Sequence, residues 1–185
     1  MIWWLWIIIA IVVIVVIILI YYFNRFVVLE NRINNSSAQI DVQLRKRADL
    51  VPSLVKVVKG YARHEKQLFE NVTKARAAVL KGQNVQERAK AGNQLQQALK
   101  SIFAVAENYP QLQANQNFLH LQKELAAIED KVAYSRQFYN DSVLALENAS
   151  QKFPGVVFFK MFGRQRKDYL KIPAEAKAMP KISFD

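Results

Sequence analysis

The pattern of apolar positions changes once along this chain, and the change divides it in two. Residues 1–23 carry no charge. Trp3, Trp4 and Trp6 lead into an unbroken aliphatic run over residues 7–20, and Tyr21, Tyr22 and Phe23 close it. From Phe26 onward, apolar residues recur at spacings of three and four with polar residues between them. That is the period of helices with one buried face.

The first pattern predicts a membrane span. At 1.5 Å per residue, 23 helical residues reach about 34 Å, enough for a hydrocarbon core of about 30 Å. Its ends suit the two interfaces, with Trp3, Trp4 and Trp6 at one and Tyr21 and Tyr22 at the other. Nothing basic precedes the run, and Tyr21-Tyr22-Phe23-Asn24 offers no small-residue cleavage site. The segment therefore reads as a retained anchor and not as a signal peptide. Arg25, Arg32 and Arg45-Lys46-Arg47 all follow the span. The positive-inside rule then sets a single-pass protein in the cytoplasmic (inner) membrane, N-terminus outside and remainder in the cytoplasm.

The second pattern predicts four amphipathic helices. Phe26, Leu29, Ile33, Ser37, Ile40 and Leu44 form the first stripe, and no Gly or Pro parts it from the span, so both belong to one rod. Asp49-Leu50-Val51-Pro52 reads as a helix start, with Asp49 as cap and Pro52 in the tolerant first turn. This predicts a hairpin near residues 48–50. A second stripe (Val51, Leu54, Val55, Val58, Ala62, Phe69, Val72, Ala75, Val79) contains Gly60 and runs to Gly82, which reads as a left-handed stop. The third comprises Ala91, Leu95, Ala98, Leu99, Ile102, Val105 and Ala106, and ends before Tyr109-Pro110. The fourth runs from Phe118 through Leu121, Leu125, Ile128, Val132, Ser135, Tyr139 and Val143 to Leu146, and stops at Phe153-Pro154-Gly155. The resulting fold class is all-α: an N-terminal transmembrane helix continuing into an antiparallel four-helix bundle. The domains are residues 1–23 as anchor, 24–153 as bundle and 154–185 as a tail. The turn at 49–52 and the loop at 109–115 then share the membrane-distal end, and the end of the fourth helix returns to the membrane.

Composition changes this picture in two places. No cysteine is present, so disulfides, thiolate metal sites and cysteine nucleophiles are excluded. Twenty-six Lys and Arg against fifteen Asp and Glu give a net charge of +11, which suits anionic lipid. The excess is sharpest in the tail. There Val156-Val157-Phe158-Phe159 precedes Lys160, Arg164, Arg166, Lys167 and Lys171, a mixture that suits a membrane surface. A tail docked on the protein, a protein partner or single-stranded nucleic acid could use the same ingredients, and the anchor favours lipid over nucleic acid. Residues 173–185 read as extended.

Catalytic chemistry is missing from the pattern. His64-Glu65 opens like a zinc-binding helix, but Leu68 stands where a second histidine is needed, and His120 is distant. There is no phosphate-cradling glycine loop and no nucleophile elbow. No cofactor, metal site or enzymatic activity is expected.

Two stretches carry a resemblance. One is Ala38-Gln39-Ile40-Asp41-Val42-Gln43-Leu44-Arg45-Lys46-Arg47-Ala48-Asp49-Leu50-Val51-Pro52-Ser53-Leu54-Val55, continued by Val58-Lys59-Gly60-Tyr61-Ala62-Arg63-His64-Glu65. The other is Ala104-Val105-Ala106-Glu107-Asn108-Tyr109-Pro110-Gln111-Leu112-Gln113-Ala114-Asn115, followed by Phe118, Leu121-Gln122 and Glu124-Leu125. Both resemble the LemA family. The resemblance implies a bacterial single-pass membrane protein with a cytoplasmic helical bundle and no established enzymatic activity. It also implies links to internal-membrane biogenesis and to membrane proteases. Expected partners are therefore the lipid bilayer, a second copy of the chain in a homo-oligomer, and a membrane protease or other membrane protein. Asp49, Pro52, Tyr109 and Pro110 become candidates for an interaction tip, with helix capping as the other account of the same residues.

Overall fold

A computed structural model describes residues 3–171, and every regular element among them is helical. The elements are α1 (Trp3–Lys59), α2 (Lys66–Lys81), α3 (Val85–Ala106), α4 (Pro110–Gln113), α5 (Gln116–Gln151) and α6 (Gly155–Met161). The protein is all-α, with an apolar N-terminal helix that continues into an antiparallel four-helix bundle. The anchor and the first stripe are indeed one helix, α1, of 57 residues. The stretch expected to be extended, 173–185, lies outside the described residues.

The chain folds as two compact units. One joins α1 up to Ser36 with Gln137–Tyr169; the other holds Ser37–Arg136 together with Leu170 and Lys171. In the second unit, Ile40, Leu44, Ala48, Val51, Leu54 and Val58 of α1 are buried. They form its core with Phe69, Val72 and Val79 of α2, Leu95, Leu99 and Ile102 of α3, and Phe118, Leu125 and Val132 of α5. The stripes read from spacing are therefore the core-facing sides.

The predicted hairpin at residues 48–50 is absent. Helix α1 runs through Pro52 to Lys59, and the turn falls at residues 60–65, so Asp49 is a mid-helix residue and caps nothing. Proline in a helix interior costs about 3 kcal/mol or more, partly because the carbonyl four residues earlier loses its donor. Here that carbonyl belongs to Ala48, which is fully buried, and Arg76 Nε of α2 donates to it at 2.8 Å. The Pro52 ring itself faces solvent. A side chain from the next helix thus replaces the missing N–H. Gly60 correspondingly lies outside any helix, where the first turn of the connection begins.

A second correction concerns Gly82. It follows α2 as expected, but at φ −57° and ψ 131° it is not left-handed. The position is tight for a different reason: an added Cβ would lie 2.6 Å from Arg88 Cγ. Asn84 then opens α3, its Oδ1 accepting from Glu87 N at 2.8 Å while Glu87 Oε2 accepts from Gln83 N at 2.9 Å, a reciprocal cap.

Polar ties run through the same core. Arg47 of α1 is only 2% exposed and pairs with Glu129 of α5. Burial holds its pKa below the ordinary arginine value, and Glu129 works against that shift. Arg136 donates to Asn93 Oδ1 at 2.7 Å and to the Ala89 carbonyl at 3.1 Å, tying α5 to α3. Arg88 pairs with Asp41, tying α3 to α1.

Two substitutions test these ties by denaturant unfolding of the detergent-solubilised protein. Arg76→Ala is expected to cost about 1–3 kcal/mol, the penalty for orphaning a buried carbonyl. In a Pro52→Ala background the cost falls, because the introduced alanine supplies the N–H; equal costs in both backgrounds refute the compensation. Glu129→Ala is expected to cost toward the low end of the about 3–5 kcal/mol of a broken buried pair, since Glu129 keeps 33% of its side chain exposed.

Candidate functional site

Within the first unit, the span ends in an aromatic seam. Trp3, Trp4, Trp6 and Tyr21 are exposed on α1, as are nearly all side chains between them. Tyr22 then stacks on Phe158 at 5.4 Å, and Phe23 meets Phe162 edge-on at 5.3 Å. Phe26, fully buried, meets Phe159 at 5.3 Å. Helix α6 is thereby clamped to the last turns of the apolar segment. Gly155 makes the approach possible, because a Cβ there would collide with the Ala149 carbonyl oxygen and lie 3.0 Å from the Tyr22 ring.

Past Met161 the chain reverses. Gly163 adopts φ 62°, a left-handed value that glycine accepts without strain, and Arg164 N donates to the Phe159 carbonyl at 3.3 Å. The Arg164 guanidinium pairs with Glu30 of α1 and lies 5.3 Å from the Phe23 ring centroid. Of the basic tail residues, Lys160, Arg166, Lys167 and Lys171 are exposed, whereas Arg164 is held in this clip. Arg166 and Lys167 border a 220 Å³ cleft together with Glu147, Ser150 and Tyr169. Tyr169 Oη donates to Glu147 Oε2 at 2.7 Å, and Tyr139 Oη donates to the Asp168 carbonyl at 3.2 Å. Spacing along the chain carries no sign of Glu30, Glu147 or Tyr169, whose partners lie 22 to 134 residues away.

In the second unit, the four tip residues sit on two elements. Asp49 and Pro52 are exposed along α1, and Tyr109 and Pro110 form the corner that opens α4, with Pro110 at its first position. The two motifs meet through other members. Asn115 Nδ2 donates to Tyr61 Oη at 3.1 Å, while Asn115 Oδ1 accepts from Phe118 N at 3.1 Å and caps α5. One asparagine thus starts a helix and holds the end of α1. Ser53, Lys56, Val57, Tyr61, Asn115 and His120 line an open depression of about 510 Å³ here. A larger depression of about 810 Å³, bordered by Lys59, Arg63, Lys66, Lys74 and the ring of Phe69, lies where α1 turns into α2; Lys59 Nζ is 5.2 Å from that ring's centroid. Both escaped the sequence reading because they depend on the turn at residues 60–65.

No cluster of three or more His, Asp or Glu side chains suited to a metal ion occurs among the described residues. His64 is exposed, and His120 Nε2 lies 3.5 Å from Glu124 one turn away. The arrangement offers open surfaces and a membrane-length helix, with no metal-ligand cluster among the described residues.

The hydrogen bond to Glu147 favours the protonated phenol and raises the pKa of Tyr169 above the ordinary tyrosine value. The sign follows: its contribution to stability is present below that value and is lost as pH rises through the raised one. In an ultraviolet titration, the difference between the parent and Tyr169→Phe is expected to show one phenolate forming later than free tyrosine. A difference curve matching free tyrosine removes the bond.

A family model described as the LemA family matches residues 36–184. The chain is also similar to magnetosome protein MamQ of Magnetospirillum gryphiswaldense, with 21% identity over 173 residues, covering 80% of this chain and 64% of the relative. Magnetosome proteins MamQ 1 and MamQ 2 of Paramagnetospirillum magneticum match at 21% identity over 178 residues with the same shares. The chain therefore spans about two thirds of the length of these curated relatives, slightly under that fraction. Among the described residues, α1 alone is long and apolar enough to cross a membrane, and its apolar window has no buried residue. The protein is membrane-associated.

Proposed function

Because this chain belongs to the LemA family, we propose that it is a non-enzymatic, membrane-anchored scaffold that self-associates and organises or remodels the membrane. Its span crosses the cytoplasmic membrane once, with the N-terminus outside and the helical bundle in the cytoplasm. The observation that carries this reading is the apolar sheath of α1, exposed on every face over residues 3–17 and continuous with a bundle helix. Charge supports the orientation, since Lys and Arg begin only at Arg25. The relatives' names tie them to the magnetosome, and carried to this chain that favours an organising role over a catalytic one. Self-association uses the depression lined by Ser53, Tyr61 and Asn115, which belong to the same two sequence motifs as the candidate tip residues Asp49, Pro52, Tyr109 and Pro110.

A second reading draws on the basic depression. Lys59, Arg63, Lys66 and Lys74 against Glu70 suit an acidic segment of another protein, as an adaptor for a membrane protease or other membrane protein requires.

Photoreactive residues at exposed Asn117 in the first depression and, separately, at exposed Glu70 in the basic one, crosslinked in cells, separate the two. Products at multiples of the chain's own mass are expected for the scaffold, and one distinct heavier product for the adaptor. Light scattering of the detergent-solubilised protein supplies the second check. A strict monomer at every concentration removes self-association.

A further inference from the structure

Helix α6 has the wrong composition for a helix docked on a water-soluble surface. Its sequence is Gly155-Val156-Val157-Phe158-Phe159-Lys160-Met161, in which Lys160 is the single charged residue. At 100° per residue, Gly155, Phe158, Phe159 and the following Phe162 fall on one side, and these are the residues packed on α1 and the end of α5. The opposite side holds Val157, Met161 and Lys160. Val157 is 53% exposed and Met161 56%, and Phe153, two residues before the helix, is 84% exposed. A helix whose outer side exposes Val157 and Met161, with one lysine beside them, suits an interface with lipid better than one with water alone.

The position of α6 supports the same choice. Its inner side grips Tyr22, Phe23 and Phe26, the residues at which the membrane-length apolar run ends. Ile20, Tyr21 and Phe23 on α1 are themselves exposed at this level, so the apolar outer side of α6 continues the apolar sheath of the span. Tyr21 marks the headgroup depth, where amphipathic rings settle, and Lys160 and Lys152 on or beside α6 can extend toward phosphates. The Arg164–Glu30 pair fixes the chain after α6 to α1 and removes two charges from the approach.

We propose that α6 is a second membrane-contacting element, which lays Phe153, Val157 and Met161 into the interfacial layer of the bilayer beside the exit of the span. The assignment rests on the reading of α1 as a transmembrane anchor and adds a membrane contact outside it. The span fixes the protein in the bilayer; α6 braces it against the headgroup layer, with lysines matched to anionic lipid.

The natural absence of cysteine makes the test direct. Single variants Val157→Cys and Met161→Cys of the full-length chain carry a nitroxide spin label in nanodiscs of mixed phosphatidylcholine and phosphatidylglycerol. Both sites are exposed, so labelling leaves the packed side of α6 intact. Ile14→Cys serves as the lipid reference and Tyr134→Cys, at a 70% exposed position, as the water reference. Collision with oxygen is expected to exceed collision with a water-soluble nickel chelate at residues 157 and 161, shifted from Tyr134→Cys toward Ile14→Cys. Nickel accessibility equal to that of Tyr134→Cys overturns the proposal. So does protection from both reagents, which means that protein covers α6. If Ile14→Cys itself reads as water, the anchor has failed; if Ile14→Cys reads as lipid while 157 and 161 read as water, only the role of α6 has failed.

Discussion

The apolar surface of the first turns of α1 is left uncovered by the rest of the chain, and lipid is the solvent that suits it. Residues 3–17 are exposed without interruption. In an aqueous setting such a surface drives aggregation, whereas in a bilayer it is already in its preferred solvent. The difficulty moves to the last turns of the apolar run, where the sequence passes from apolar to charged residues at Arg25. The chain answers there with aromatic rings from both ends of its sequence. Tyr22, Phe23 and Phe26 meet Phe158, Phe159 and Phe162, and one arginine is clipped to Glu30 at the border.

The second unit answers to a different physical demand. Its helices are joined by arginine side chains that reach across the core: Arg47 to Glu129, Arg76 to the Ala48 carbonyl, Arg88 to Asp41, and Arg136 to Asn93 and the Ala89 carbonyl. The pairs join particular positions on neighbouring helices, and the cost of displacing the guanidinium is greatest at Arg47, which is 2% exposed. Apolar stripes alone tolerate sliding by a turn; these pairs do not.

Much of this was legible in the residues. The apolar run before Arg25 became the exposed start of α1, and the spacing of Phe26, Ile33, Ile40 and Leu44 marks the buried side of the same helix. The long stripe from Phe118 to Leu146 likewise became the inner face of α5. Pro52 was misread because the proline rule counts hydrogen bonds along the chain, and here the missing donor comes from Arg76, 28 residues distant from Ala48. The true turn at residues 60–65 carries no proline, and its glycine looks like an ordinary weak helix position. Gly82 stood at a helix end for the sake of Arg88, which no local pattern announces. For the surfaces, the exposed basic residues Lys160, Arg166 and Lys167 were visible, but the clip of Arg164 on Glu30 required knowing that residues 134 apart become neighbours. Asn115 and Tyr61 both lay within the motifs, yet only their juxtaposition gives them a shared task.

The bond between Arg76 and the Ala48 carbonyl also constrains the order in which this sequence could have changed. A proline entering position 52 of an ancestor without an arginine at 76 strands a buried carbonyl, a step that selection on stability opposes. An arginine arriving first at 76 meets no such obstacle, since it can rest at the helix surface until the carbonyl is freed. The reverse history is equally directional: once Pro52 is in place, Arg76 is locked until the proline departs. One hydrogen bond between two helices thus acts as a ratchet on mutational paths.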